Sequence, residues 1–397
     1  MTRVQAHQPQ LHDLDVSPGV RALAGGRDVR VSWVRVPEPP PVTLAKLRPW
    51  VVEHHKTLID AQVKLAQQTR TAERCPELPA VIGFVYPDEG PDRGETHDAW
   101  VFLVIDRHGR GALARSFSLR RSERFIRQPQ LAGMAAKRVA VVGVGALGSQ
   151  VADLLGKAGV GGLFLVDNDL MTAGIRVRNQ LDLSDVGQSK VSATAVRALR
   201  VDPWLEPGCR QARLGQPLAG PNEAFTQQLD DEIVAELAGC DLIVNATASP
   251  VPGRYLSQIG NELGVPVIHT WVSAGAWGGR VLRQRPAASG CSLCLALAQR
   301  DGDGAVPEWQ AHTDAVEVME MGCADPSFTG PGFELTTVAA QAARLAVQTL
   351  VGADGGHPMA EYDLATLTLR TADAAEPATA YTRLPIHPEC TLCNTSD

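Results

Sequence analysis

The chain has no apolar run that approaches membrane-spanning length, and its N-terminus lacks the charged-then-apolar pattern of a secretion signal. These absences predict a cytoplasmic protein without a membrane partner. Basic residues are not in excess. The 37 Lys and Arg against 44 Asp and Glu give a formal net charge of -7, which argues against a nucleic-acid surface. Cysteine is scarce, at eight in 397 residues. That is too few for a disulfide scaffold of this size, and the spacing points to metal and thiol chemistry instead. Charged residues reach only 20% while hydrophobic residues reach 44%, so a sizeable core is expected and global disorder is not. The length suggests two or three domains.

The stretch from Lys137 to Lys190 organises the rest. Arg138 to Val142 is a short Val-rich run, suited to a buried parallel strand. Gly143, Gly145 and Gly148 follow at G-x-G-x-x-G spacing, which permits a tight turn and lets backbone amides approach a phosphate at a helix N-terminus. Leu147, Val151, Leu154 and Leu155 share one face of the helix expected next. A second strand, Leu163 to Val166, ends in Asp167, where an acid typically takes ribose hydroxyls. Strand, glycine turn, helix and acid together predict a nucleotide site. Further apolar strands at 241–246 and 266–272 alternate with helices, predicting a doubly wound, mostly parallel Rossmann-like α/β sheet.

Cys291-Ser-Leu-Cys294 and Cys390-Thr-Leu-Cys393 are two C-x-x-C knuckles. Four thiolates suffice for a closed tetrahedral zinc site with a structural role. A redox C-x-x-C is disfavoured because neither knuckle is expected to open a helix after a thioredoxin-like strand.

Before residue 118 the pattern differs. A strand over 29–36, a break at Pro37–Pro41, a helix from Leu44 to about Gln68 and two antiparallel strands, Ala80–Tyr86 and Ala99–Ile105, predict a small α+β module. His54 and His55 are adjacent on that helix, cannot share a face, and read as surface residues. The expected domains are therefore 1–118 and 119–397. Cys75 beside Pro76 reads as an unreactive loop cysteine.

After the acid come Asp167-Asn168-Asp169, Arg178 and Val186-Gly187-Gln188-Ser189-Lys190. This run resembles the ubiquitin-activating-enzyme superfamily, including the ThiF/MoeB-type adenylyltransferases, over about residues 122–393. The resemblance implies ATP, with Asp167 on the ribose, Asp169 beside it, and Arg178 and Lys190 on the phosphates. Cations there would stabilise charge developing on the phosphoryl oxygens and the departing pyrophosphate. Arg124 and Arg127 match the family's R-x-x-R-Q element, which implies a homodimer with Arg127 reaching a partner's site. Cys323 falls where several members carry an acyl-accepting cysteine, in a loop-like segment, 300–333, over which a substrate tail would thread. The knuckles occupy the family's zinc positions. In order and size the first module resembles the ubiquitin-conjugating-like domain of some bacterial members, here without a reactive thiol.

Two departures stand out. Ile175 occupies the place of the family's asparagine and cannot hydrogen-bond through its side chain. Thr247-Ala248-Ser249 lacks the acid at Ala248 that helps position magnesium. The expected function is ATP-dependent adenylation of the C-terminal carboxylate of a ubiquitin-like modifier or carrier protein, using ATP, magnesium and structural zinc. The alternatives are a catalytically impaired assembly partner of the same fold, a peptide-modifying adenylyltransferase of natural-product synthesis, and a dehydrogenase, which the zinc knuckles and the Arg178/Lys190 pair disfavour.

Overall fold

The computed structural model describes residues 31–41, 43–72, 79–89, 96–115, 121–214, 223–302, 306–312, 315–318, 327–352, 357–372 and 377–394. Cys75 and Cys323 lie outside the described residues. The chain divides into two compact units, Met1–Glu123 and Arg124–Asp397.

Among its described residues, the first unit has a four-stranded sheet and one long helix. Strands β1 (Val31–Arg35), β2 (Ala80–Glu89), β3 (Thr96–Ile105) and β4 (Gly111–Arg115) lie side by side in sequence order. β1 pairs parallel to β2, and the remaining pairs are antiparallel. Helix α1 (Leu44–Ala72) buries Leu47 and Val51 against Ile82, Phe84, Val101 and Leu103. The backbone leaves helical geometry at His55, with φ -138°. Both histidine rings pack on Trp50, but they differ in burial. His54 is exposed, whereas His55 is half-buried, its ring centroid 5.1 Å from that of Trp50 and 5.7 Å from that of Phe84. His55 is thus a packing residue rather than the surface residue expected, and burial lowers its pKa, followed by repulsion from His54.

The second unit is built on an eight-stranded sheet. Its elements are β5 (Arg138–Val142), α2 (Gly148–Lys157), β6 (Gly162–Val166), α3 (Lys190–Val201), β7 (Glu206–Arg210), α4 (Glu223–Ala238), β8 (Leu242–Asn245), α5 (Pro250–Leu263), β9 (Val267–Val272), β10 (Gly278–Gln284), α6 (Ser292–Arg300), β11 (Glu317–Val318), β12 (Ser327–Phe328), α7 (Gly332–Val351), β13 (Leu364–Thr368) and β14 (Ala378–Thr382). The strand order is β14-β13-β10-β9-β8-β5-β6-β7. Strands β7 to β9 in that order are parallel, and from β10 onward the pairing is antiparallel.

Alternate residues of β5 explain the double winding. Val139 and Val141 join one core cluster, with Val151 and Leu155 of α2 and Val338 and Leu345 of α7. Ala140 and Val142 join another, with Ile233 and Leu237 of α4 and Leu256 and Ile259 of α5. A strand buried on both faces has no polar alternation, which is why it reads as a continuous apolar run. The segment expected to be loop-like, 300–333, takes in the end of α6 and the start of α7, and between them its described residues include one short ladder. The antiparallel ladder pairs Glu317 with Phe328 and Val318 with Ser327. Among the described residues, no helix is long and apolar enough to cross a membrane.

Candidate functional site

The glycine turn sits at the carboxyl end of β5, and its three glycines have different reasons. Gly143 has φ +83°, and a Cβ there would stand 2.8 Å from the carbonyl carbon of Ala246. At Gly148 a Cβ would fall 1.7 Å from the Gly143 carbonyl oxygen. Both positions are therefore dictated by the fold. Gly145 is not, since a Cβ there would meet nothing within 4 Å. Open space at that glycine, beside a helix start with no side-chain cap, is a cradle that a methyl group would fill. Unsatisfied amides at a helix start favour an anion, so a nucleotide's phosphates fit.

The turn is held from two sides. Asp167, at the end of β6, accepts the Val144 amide at 2.7 Å through Oδ2 and the Asp169 amide at 2.8 Å through Oδ1. Burial pushes its pKa up, against the pull of Lys190 and those two amides. Asn179 is buried, and its Nδ2 donates to the carbonyls of Val144 at 3.1 Å and Gly145 at 3.2 Å. Sequence reasoning passed over Asn179. The signal was its place directly after Arg178. Ile175 sits in a small apolar cluster with Met171, Leu181 and Ala193, so it is a packing residue.

Lys190 is the first residue of α3 and is only 2% exposed. Its Nζ lies 2.8 Å from Asp169 Oδ2, and its amide donates to the Asp169 carbonyl at 3.0 Å. Arg178 reaches toward the short ladder, donating to the Phe328 carbonyl and to Ser327 Oγ, each at 2.7 Å. Its own carbonyl accepts Gln150 Nε2 from α2 at 3.1 Å. Glycine turn, Asp167, Asp169 and Lys190 thus form one bonded cluster, and Arg178 ties its flank to the β11–β12 ladder.

Arg124 and Arg127 part company. Arg124 is 2.5 Å from Asp202, with both side chains buried, so it anchors within its own chain. Gln128 also turns inward, bonding the carbonyls of Arg124 and Lys157. Arg127 is exposed and makes no hydrogen bond or ion pair among the described residues. The strand end after β8 carries Thr247, Ala248 and Ser249, and Ala248 holds a left-handed φ of +56°. The Thr247 hydroxyl donates to Asn245 Oδ1 at 2.8 Å. Hydroxyls without a carboxylate do not fit a magnesium ion held by protein at this strand end. Asp167 is engaged by the Val144 and Asp169 amides, and Asp169 by Lys190.

The four knuckle cysteines converge. Their sulfurs lie within 4.8 Å of one another. Cys291 is 3.8 Å from Cys294 and 3.5 Å from Cys390, and Cys294 is 3.8 Å from Cys393. Sulfurs at about 2.3 Å from a tetrahedral zinc stand about 3.8 Å apart, so the set fits the ion. The His387 amide donates to Cys294 Sγ at 3.3 Å, and Asn261 Nδ2 approaches Cys393 Sγ at 3.7 Å. Hydrogen bonds from Cys291 and Cys393 hold the Cys294 thiol below its ordinary range. Contrary to the sequence expectation, the first knuckle does open a helix, since Cys291 is the N-cap of α6. The convergence of the second knuckle on it, 99 positions away, favours a closed metal site over a redox pair.

The fold and cluster define a doubly wound α/β domain with a glycine turn, strand-end acids and a four-thiol staple. Residues 119–390 match the ThiF family, and the chain belongs to it. The uncharacterized protein y4qC of Sinorhizobium fredii is 32% identical over 232 residues, covering 57% of this chain and 39% of that protein. The ATP-dependent ubiquitin transferase-like protein Cap2 of Pseudomonas aeruginosa is 28% identical over 284 residues, covering 70% of this chain and 47% of that one. The chain thus spans less than half the length of these two relatives. Among solved structures, E. coli MccB with ATP aligns at a TM-score of 0.48 and 14% identity, over 70% of this chain and 75% of that one.

Proposed function

We propose that the second unit adenylates a C-terminal carboxylate at the expense of ATP, and that the substrate is a ubiquitin-like modifier or carrier protein. The observation that supports this most is the bonded cluster of open Gly145, Asp167, Asp169 and Lys190 at the carboxyl end of the parallel sheet. A ligand at that end of such a sheet is the general rule for doubly wound folds.

In the proposed step a substrate carboxylate oxygen attacks the α-phosphorus of ATP. The new C–O–P bond makes a mixed anhydride, and the bond to the β-phosphoryl oxygen breaks, with pyrophosphate leaving with the electron pair. Amides at the α2 start receive phosphate oxygens. Lys190 and Arg178 offset the charge gathering on the phosphoryl oxygens and leaving group. Asp167 serves the ribose while fixing the Val144 amide. Zinc at the four cysteines has a structural role with no open position. Homodimerisation would bring an exposed Arg127 to a partner's site. Transfer of the acyl group to Cys323 would exchange the anhydride for a thioester and release AMP. Cys323→Ala should then keep pyrophosphate exchange and lose any thiol-sensitive adduct.

ATP–pyrophosphate exchange with the cognate carboxylate tests the reading. Wild type should exchange label, and Arg178→Ala and Lys190→Ala should each fall by roughly a hundred- to a thousandfold. The second reading, a catalytically impaired assembly partner, is favoured by Ile175 and Ala248. ATP binding by calorimetry without exchange, persisting in Ala248→Asp, would establish it. Asp tolerates the left-handed backbone at 248 better than Ala does, so that control is sterically sound.

A further inference from the structure

A line of hydrogen-bonded polar side chains, buried along its middle and half-buried at Thr247 and Asn261, crosses the second unit from the glycine turn to the four cysteines. It starts at Thr247, whose amide nitrogen lies 2.9 Å from where a Cβ of Gly143 would stand. Asn245 Oδ1 accepts the Thr247 amide at 3.2 Å and its hydroxyl at 2.8 Å. Asn245 Nδ2 faces His269 Nδ1 at 3.0 Å, and His269 Nε2 faces Gln284 Oε1 at 3.3 Å and Ser257 Oγ at 3.2 Å. Gln284 Nε2 donates to Asn261 Oδ1 at 2.9 Å. Asn261 Nδ2 closes the line on the Leu392 carbonyl at 2.8 Å and Cys393 Sγ at 3.7 Å. Asn245, His269 and Gln284 are each 0% exposed.

Backbone groups set the direction of every link. The Thr247 amide can only donate, so Asn245 must turn its oxygen there and its amide hydrogens toward His269. Nδ1 is then an acceptor, and the imidazole proton sits on Nε2. The Ser257 carbonyl accepts Gln284 Nε2 at 2.7 Å, which turns Gln284 Oε1 toward that proton. The Leu392 carbonyl orients Asn261 in the same way. No member can flip without leaving a buried donor facing a donor, an arrangement costing roughly 1–3 kcal/mol. His269 stays neutral at neutral pH because burial pushes its pKa down to about 4.

We propose that Asn245, His269, Gln284 and Asn261 are positioning residues that couple the four-cysteine metal centre to the strand end beneath the glycine turn. Metal occupancy then strengthens nucleotide binding, and nucleotide strengthens metal retention by the same factor. The nucleotide half of this rests on the adenylation reading above. A hydrogen-bonded network with a single allowed orientation either moves as a unit, which carries a displacement at Cys393 to Thr247, or loses a buried hydrogen bond, which penalises that displacement.

The test uses the full zinc-loaded chain and two readouts. One is the rate at which a chromogenic chelator captures zinc, with and without a non-hydrolysable ATP analogue. In wild type the analogue should slow capture at least about fivefold. In His269→Ala it should still bind by calorimetry, yet leave the capture rate unchanged. The other readout is amide hydrogen exchange, which needs no nucleotide. Zinc removal should expose the Thr247 amide in wild type and produce no further change in His269→Ala. Asn261→Ala removes the last link without hollowing the His269 layer and should behave alike, which decides the matter if His269→Ala fails to fold. Equal slowing in wild type and variants, or a Thr247 amide indifferent to zinc, overturns the coupling. A chain that binds no nucleotide sinks the adenylation reading, and exchange at Thr247 still decides the relay.

Discussion

Gly143 and Ala246 stand so close that a Cβ on the glycine would be 2.8 Å from the alanine's carbonyl carbon, whereas Gly145 two residues on has empty space. The contrast separates folding from binding. Gly143→Ala should cost roughly 2–5 kcal/mol, from the left-handed backbone and the overlap with β8's end together. Gly145→Ala should leave stability within about 1 kcal/mol and weaken ATP binding at least about tenfold by filling the cradle. Thermal melts and calorimetric titration of both variants check this. Equal ATP affinity in wild type and Gly145→Ala would remove the phosphate cradle from consideration.

The metal centre makes a stoichiometric prediction. Protein purified without chelator should contain one zinc per chain by elemental analysis. Replacing Cys390 or Cys393 with Ala should lower stability by on the order of 4 kcal/mol or more, because structural zinc contributes folding free energy directly. Metal-free protein with wild-type melting behaviour would contradict it.

His269 predicts an acid-sensitive fold. Its ordinary pKa is about 6.5, and burial pushes the folded value down to about 4. The unfolded chain therefore binds a proton that the folded chain refuses. Stability from this group is complete above pH 6.5 and is lost as pH falls from 6.5 toward 4. About 1 kcal/mol should disappear between pH 7 and 5.5. The side chains that hydrogen-bond it or stack on it, Asn245, Ser257, Gln284 and Trp271, carry no charge that could offset this. Urea midpoints at the two pH values should diverge in wild type and converge in His269→Gln.

Arg127 predicts sharing between subunits. Mixing Arg127→Ala chains with Lys190→Ala chains should restore exchange activity through one intact composite site. A fully active monomer in sedimentation would show that Arg127 works alone or not at all.

Much of this domain was legible because its central elements are locally determined. β5 falls on Arg138–Val142 as the apolar run predicts, since a strand covered on both faces must be apolar throughout. Each C-x-x-C knuckle was legible from its own spacing, whereas the convergence of the two, 99 positions apart, is a tertiary contact. His55 was misjudged because helix geometry, assumed when placing the two histidines, breaks at that residue. The antiparallel turn of the sheet at β10 and the β11–β12 ladder depend on pairing partners far along the chain, which periodicity does not report. The polar line through His269 is the least legible of all. Its members come from two strand ends, a strand interior and a helix, and each looks alone like an ordinary polar residue.

The cysteine staple also sets an order of events during synthesis. Cys291 and Cys390 are 99 positions apart and touch at 3.5 Å. At roughly 5–20 residues per second, a ribosome needs about 5–20 s to deliver the second knuckle after the first. Through that interval Cys291 and Cys294 are an open dithiol on a nascent chain, able to bind metal only loosely and exposed to oxidants. Newly made protein is consequently the vulnerable population, because thiols that the folded chain encloses stand open for those seconds.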